Sequence, residues 1–128
     1  MIRVGNSGYD YVNAIAVDSS GNTYVSGDFT GTTTFGSTSL VSSGSYDIFI
    51  AKLSSSGSWQ WAVKAGGSGI DKGVGIAVDS SGNAYITGHF LENATFGSTN
   101  LTNSGGNDIF IAKLSSSGSW QWTVKAGG

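Results

Sequence analysis

A chain of 128 residues with 21 glycines, no proline, no cysteine and only 11% charged residues has room for one domain, and it must build its core from many short segments. Six bases and eight acids leave a net charge of -2 with no basic stripe, which excludes phosphate neutralisation and with it a nucleic-acid partner. The missing cysteines exclude disulfides, thiolate metal sites and cysteine nucleophiles together, and no apolar stretch approaches the roughly 20 residues that cross a bilayer, so no membrane partner is expected.

The chain is one 61-residue unit written twice without insertion or deletion. Asp47-Ile-Phe-Ile-Ala-Lys-Leu-Ser-Ser-Ser-Gly-Ser-Trp-Gln-Trp61 returns unchanged at Asp108 to Trp122, and Ile15 to Asn22 returns at Ile76 to Asn83. Residues 1–6 read as the remnant of a preceding outer strand, because Ile2-Arg-Val-Gly5 aligns with Val63-Lys-Ala-Gly66. Residues 7–67 and 68–128 are then the two repeats. Such a beginning is expected of a piece of a longer array or of a designed sequence.

Within the first repeat, an apolar β-branched run at 13–18 leads through Ser19-Ser-Gly-Asn22 into the alternating segment 23–29, which predicts a hairpin. A Thr/Gly/Ser-rich connection of 17 residues, Thr30 to Tyr46, follows. It is long for a hairpin loop and is expected to fold as a small hairpin that packs Phe35 and Leu40 down. Strands at 47–53 and 59–65 complete four per repeat in up-and-down order. In the second repeat they fall at 74–79, 84–90, 108–114 and 120–126.

The third strand selects the architecture. Ile48 and Ile50 point to one face, Phe49, Ala51 and Leu53 to the other, so both faces are apolar and the sheet needs a neighbour on each side. Trp59 and Trp61 are expected together on one face of the fourth strand, covering the flank of the adjoining sheet. The fold class is all-β: two four-stranded antiparallel β-propeller blades per chain, the ring completed by homo-oligomerisation.

The residues "DIFIAKLSSSGSWQW", Gly66-Gly67 and "GIAVDSSGNAY" at Gly75 to Tyr85 resemble the bacterial seven-bladed beta-propeller repeat family, SBBP, and the last of them is similar to the NHL propeller repeat. The resemblance covers nearly the whole chain. It implies a propeller in secreted or surface-exposed bacterial proteins without an assigned catalytic role, hence an extracellular or cell-surface location. Two repeats cannot make a ring of four to eight blades. A homotrimer would give six blades and a homotetramer eight, by head-to-tail contacts that close or run on as a filament.

The two copies differ mainly in the connections before the first strand and between the second and third, which share one rim of a propeller. Any ligand surface is therefore expected there, with Tyr9, Tyr11, Asp28, Tyr46, His89, Glu92 and Asn107 as candidates for a glycan or a surface protein. No catalytic residue, metal ligand or cofactor is assigned. The lone His89 has no copy in the first repeat, and the recurring aspartates sit at turn entrances, where Asx hydrogen bonds use them. The expected function is a non-enzymatic scaffold or weak multivalent binding module that assembles with itself; the alternative is a purely structural filament element or a designed or truncated repeat without a ligand.

Overall fold

The computed structural model describes residues 8–43, 45–103 and 108–127, and every regular element among them is a strand. In chain order these are β1 (Asp10–Val17), β2 (Thr23–Phe29), β3 (Thr32–Phe35), β4 (Thr38–Val41), β5 (Asp47–Leu53), β6 (Trp59–Ala65), β7 (Asp71–Val78), β8 (Ala84–Phe90), β9 (Ala94–Phe96), β10 (Thr99–Leu101), β11 (Asp108–Leu114) and β12 (Trp120–Ala126). The sheets β1-β2-β5-β6 and β7-β8-β11-β12 are four-stranded blades, each with a satellite hairpin, β3-β4 and β9-β10. The expected remnant at residues 1–6 lies outside the described residues.

The second, third and fourth strands of both blades run over the expected residues. The first strand begins three residues earlier than its β-branched run, at Asp10 and Asp71, and ends one residue earlier. Letters such as Asp71-Lys-Gly-Val-Gly75 have poor strand propensity, but ladder pairing of Asp71, Lys72 and Gly73 with Phe90, His89 and Gly88 carries them. A bulge interrupts this ladder in each copy, at Asn13 between Val12 and Ala14 and at Val74 between Gly73 and Gly75.

The hairpin turns are set by carboxylates. Asp18 Oδ1 accepts the backbone N–H groups of Ser20 and Asn22 at 2.9 and 3.0 Å, and its Oδ2 accepts the Asn22 amide and the Tyr24 hydroxyl. Led by the Asn22 amide, these donors hold the Asp18 carboxyl down to about 2. Asp79 is held likewise in the second blade, led by the Asn83 backbone N–H. Gly21 and Gly82 take up the left-handed turn, at φ 85° and 82°.

A bulge in β6 corrects the expectation for the tryptophans. Lys52 faces Trp61 and Leu53 faces Trp59, leaving Gln60 as the extra residue. The alternation is reset there, so the two rings do not share a face. Trp59 packs edge-on to Phe35 of its own blade, ring centroids 5.1 Å apart. Trp61 reaches the second blade, where its indole N–H donates to Ser116 O at 3.0 Å.

Both faces of β5 are buried, as its pattern predicts. Ile48 and Ile50 join Tyr24 and Ala65 in one cluster with Ile86, Phe90, Phe96, Phe110 and Leu114 of the second blade. Phe49 and Ala51 pack with Phe29, Phe35 and Leu40, the last two supplied by the satellite hairpin. The inner strand closes the seam through Gly73, where a Cβ would lie 2.5 Å from Ser26 Oγ and 3.0 Å from Ile48 Cγ2. The neighbouring atoms there are a buried hydroxyl and a core methyl group, neither free to withdraw. Gly73→Ala is expected to lower the unfolding free energy by about 1–3 kcal/mol through overpacking, read as a denaturant midpoint, whereas Gly75→Ala, with only the Thr87 methyl at 3.2 Å, should cost less.

Candidate functional site: a basin on the seam

The bulge at Asn13 turns a side chain of the inner strand toward the seam instead of along the pleat. Its Nδ2 donates to Asp28 Oδ1 at 2.5 Å in β2 and to Gly73 O at 2.8 Å in the second blade. Both amide hydrogens are thereby committed, one to each blade. Asp28 is only 3% exposed, and burial raises its carboxyl above the usual range against the Asn13 hydrogen bond and the charges of Lys72 and His89.

Around this pair lies an open basin of about 260 Å³ lined by Tyr11, Asn13, Asp28, Tyr46 and Lys72. The seam itself fixes Tyr46, whose carbonyl accepts the Asp71 N–H at 2.9 Å. The Tyr11 and Tyr46 rings lie 6.2 Å apart, and Tyr9 stacks on Tyr11 at 6.4 Å with planes 12° apart. Lys72 Nζ sits 5.8 Å from the centre of the Tyr46 ring, within cation–π range. Proximity to Tyr46 raises the Tyr11 hydroxyl pKa.

Of the residues named from sequence, Tyr11, Asp28 and Tyr46 line the basin and Tyr9 extends it. His89 lies beside Lys72 in the β7–β8 ladder, with Nδ1 buried and lacking a hydrogen-bond partner. Its charge reaches Asp28, but the ring does not line the basin. Glu92 stands in the turn after β8 at φ 63° and accepts from the Ser68 hydroxyl at 2.7 Å, and it is not part of the basin. Asn107 falls outside the described residues. Asn13 and Lys72 were not named; both are positions where the copies differ, Asn13 against Val74 and Lys72 against Tyr11.

Along the same rim the seam traps two carboxylates. Asp47 and Asp71 are both fully buried, and one oxygen of each, Oδ1, has no hydrogen-bond partner among the described residues. They flank Gly66, whose missing Cβ would come within 2.6 Å of Asp47 Oδ1 and 2.9 Å of Asp71 Oδ2. Lys64 pairs with Asp47 at 3.7 Å. Among the described residues Asp71 has only the Gly67 N–H at 3.0 Å, and burial first, then the charges of Asp47 and Glu92, raises its carboxyl to about 7. Among the described residues no three His, Asp or Glu side chains gather into a metal-binding group.

Two antiparallel blades, repeated with one register and joined across β6 and β7, are the geometry of adjoining propeller blades. A family model described as Beta-propeller repeat, SBBP, matches residues 2–28 and 60–89. Two segments of the chain match the SBBP beta-propeller repeat. The second matched segment runs from β6 through β7 into β8, so the SBBP unit spans the seam and contains Asp71 and Lys72. No curated protein matches the chain.

The raised carboxyl makes the SBBP seam pH-dependent with a definite sign. The folded state binds the Asp71 proton more tightly than the unfolded chain does, so its stabilising contribution is complete below about 3.8 and is lost as pH rises through about 7. Asp71→Asn should flatten that decline and leave the variant more stable than the parent at pH 8, by on the order of a few kcal/mol. Thermal unfolding from pH 4 to 8 reads both curves; parallel curves would mean that Asp71 ionises normally in the fold.

Proposed function

We propose that the chain is a non-enzymatic scaffold that joins copies of itself head to tail, extending the blade array and carrying a ligand face on its variable rim. One observation carries this reading: identical side chains are buried in one copy of the repeat and bare in the other. Ile48 and Ile50 are 0% exposed, while their equivalents Ile109 and Ile111 are 53% and 49% exposed. On the opposite flank, Ile15 and Val17 are exposed where Ile76 and Val78 pack against the core.

The two bare flanks are complementary because the seam inside the chain already joins their equivalents. The outer flank of the second blade is the surface that, in the first blade, receives β7 and β8. The open flank of the first blade is the surface that, in the second blade, is received. A second copy therefore finds nearly the residues that β5 meets in Phe110 and Leu114. Each half-exposed Ile or Val offers on the order of 1 kcal/mol when covered, against which association entropy must be set. Two shallow apolar depressions of about 100 and 390 Å³ on the second blade, sharing Thr87 and Ile111, are what such a partner would fill.

Such heterologous contacts close into a ring when the rotation permits and run on as a filament otherwise. Three chains give six blades and four give eight. A purely structural filament is the second reading, favoured by one difference between the flanks. Where Gly73 meets Ser26 inside the chain, Val12 would meet Thr87 between chains, which adds volume near the axis and sets that seam wider. An extracellular or surface location is part of the proposal, supported by a composition rich in Ser, Thr and Gly and low in charge.

Native mass spectrometry tests the reading: three or four chain masses support a ring, a ladder of sizes supports the filament, and a single chain mass at all concentrations refutes self-assembly. Ile111→Asp, which places a charge on the bare flank, should shift the mass to one chain without unfolding the blade. The pair Val12→Gly with Thr87→Ser, which restores the close approach seen at Gly73, should strengthen association at least threefold; weaker association would mean that the inner strands of two copies do not meet.

A further inference from the structure

We propose that the seam basin binds a neutral saccharide ring, stacked on Tyr11 and hydrogen-bonded by Asp28 and Lys72. This names the ligand class for the rim face of the proposed function and rests on that reading only for its valency, since every lining residue belongs to one chain.

Charge balance comes first. The basin holds one carboxylate and one ammonium, Asp28 and Lys72, so neither an anion nor a cation is favoured by net field. The aromatic faces could in principle cage a quaternary ammonium, but Lys72 already occupies the face of Tyr46, and an entering cation would meet its charge. What remains is a ligand that is uncharged, rich in hydroxyls and apolar on one face.

The walls supply both halves of that chemistry. Tyr9 and Tyr11 are 64% and 47% exposed and stack with nearly parallel planes, so that Tyr9 supports the Tyr11 ring that lines the basin, a surface on which the C–H face of a pyranose ring can lie while tyrosine loses little side-chain entropy. Asp28 commits Oδ1 to Asn13 and, among the described residues, accepts no hydrogen bond at Oδ2, so a hydroxyl has an acceptor. Lys72 is the donor opposite. The Asn13 amide, fixed to both blades, holds the carboxylate in place before a ligand arrives, which lowers the ordering cost of binding.

Size and edge geometry argue against a peptide. A volume of about 260 Å³ falls below the range of about 300–1,000 Å³ usual for larger organic ligands and suits one ring. Strand addition along β1 would need a regular edge, which the bulge between Val12 and Ala14 interrupts.

The copies also fix how many sites there are. At the equivalent positions of the second blade stand Lys72 for Tyr11, Val74 for Asn13 and His89 for Asp28. That rim lacks the stacking tyrosine and the carboxylate. One site per chain follows, and an assembly would present three or four at even spacing, which multiplies weak affinities into avidity.

The test uses the full chain and its Ile111→Asp variant with glucose, galactose, mannose and N-acetylglucosamine as probes, and with N-acetylneuraminic acid, tetramethylammonium and a Ser/Gly-rich peptide as competitors of other classes. Saturation-transfer NMR and titration should show at least one neutral sugar bound with a millimolar dissociation constant in both proteins. Tyr11→Ala and Lys72→Ala should each weaken it at least tenfold, with unfolding midpoints unchanged because both side chains project from the rim; Glu92→Ala, outside the basin, should leave it unaltered. Absence of transfer to every neutral sugar, binding insensitive to Tyr11→Ala, or preference for the cation or the peptide overturns the proposal. Sugar binding by Ile111→Asp together with a single chain mass for the unsubstituted protein at all concentrations would reject assembly while sustaining the site, so the two failures are distinguishable.

Discussion

A β-strand that is apolar on both faces cannot be solvated on either, and the rest of this molecule is arranged around that constraint in β5. Ile48 and Ile50 need a sheet on one side, Phe49 and Ala51 need cover on the other. The first need is met by a second copy of the same unit, the second by a hairpin folded out of the long connection. Repetition supplies the partner without a new sequence, because a face that packs well on a neighbour is inherited by every repeat.

Close packing at the seam also builds the rim chemistry. Gly73 lets the inner strand of the second blade come against Ser26 and Ile48, and its neighbours on β7 are carried in with it: Lys72 toward Tyr46 and Asp71 toward Asp47. Burial that stabilises the apolar part therefore strands a carboxylate in the polar part. Buried acids of this kind normally acquire compensating donors; Asp47 has Lys64 and the Ser43 N–H, Asp71 has one backbone donor. The seam is tight where it is apolar and electrostatically strained at its rim.

The fold was legible because its signals are local. Alternation, the Asp-Ser-Ser-Gly-Asn turns and the exact repeat placed the second, third and fourth strands of each blade and the satellite hairpin. What escaped was set by pairing between strands. Nothing in Trp59-Gln-Trp61 announces that Gln60 is extruded as a bulge, since the letters alternate perfectly for a flat strand; only opposition to Lys52 and Leu53 decides it. The early start of β1 and β7 was hidden for the same reason. Of the residues that line the basin, Tyr11, Asp28 and Tyr46 were singled out because they vary between copies. Asn13 and Lys72 vary too, but their places in the basin depend on contacts across the seam that only the packed blades display.

A head-to-tail array built from this chain would not be uniform. Its seams within chains carry Asn13, Asp28, Tyr46 and Lys72, whereas its seams between chains would set Val74 and His89 beside the next copy's Tyr11. The carboxylate pair would recur at both, because Asp10 and Asp108 are the equivalents of Asp71 and Asp47, and Lys125 already stands 3.8 Å from Asp108 as Lys64 stands near Asp47. Asp10 is exposed in the single chain and would lose its water only on docking. The cost of burying that carboxylate would therefore fall on the junctions between chains, whereas at the seam within the chain the fold itself already bears it.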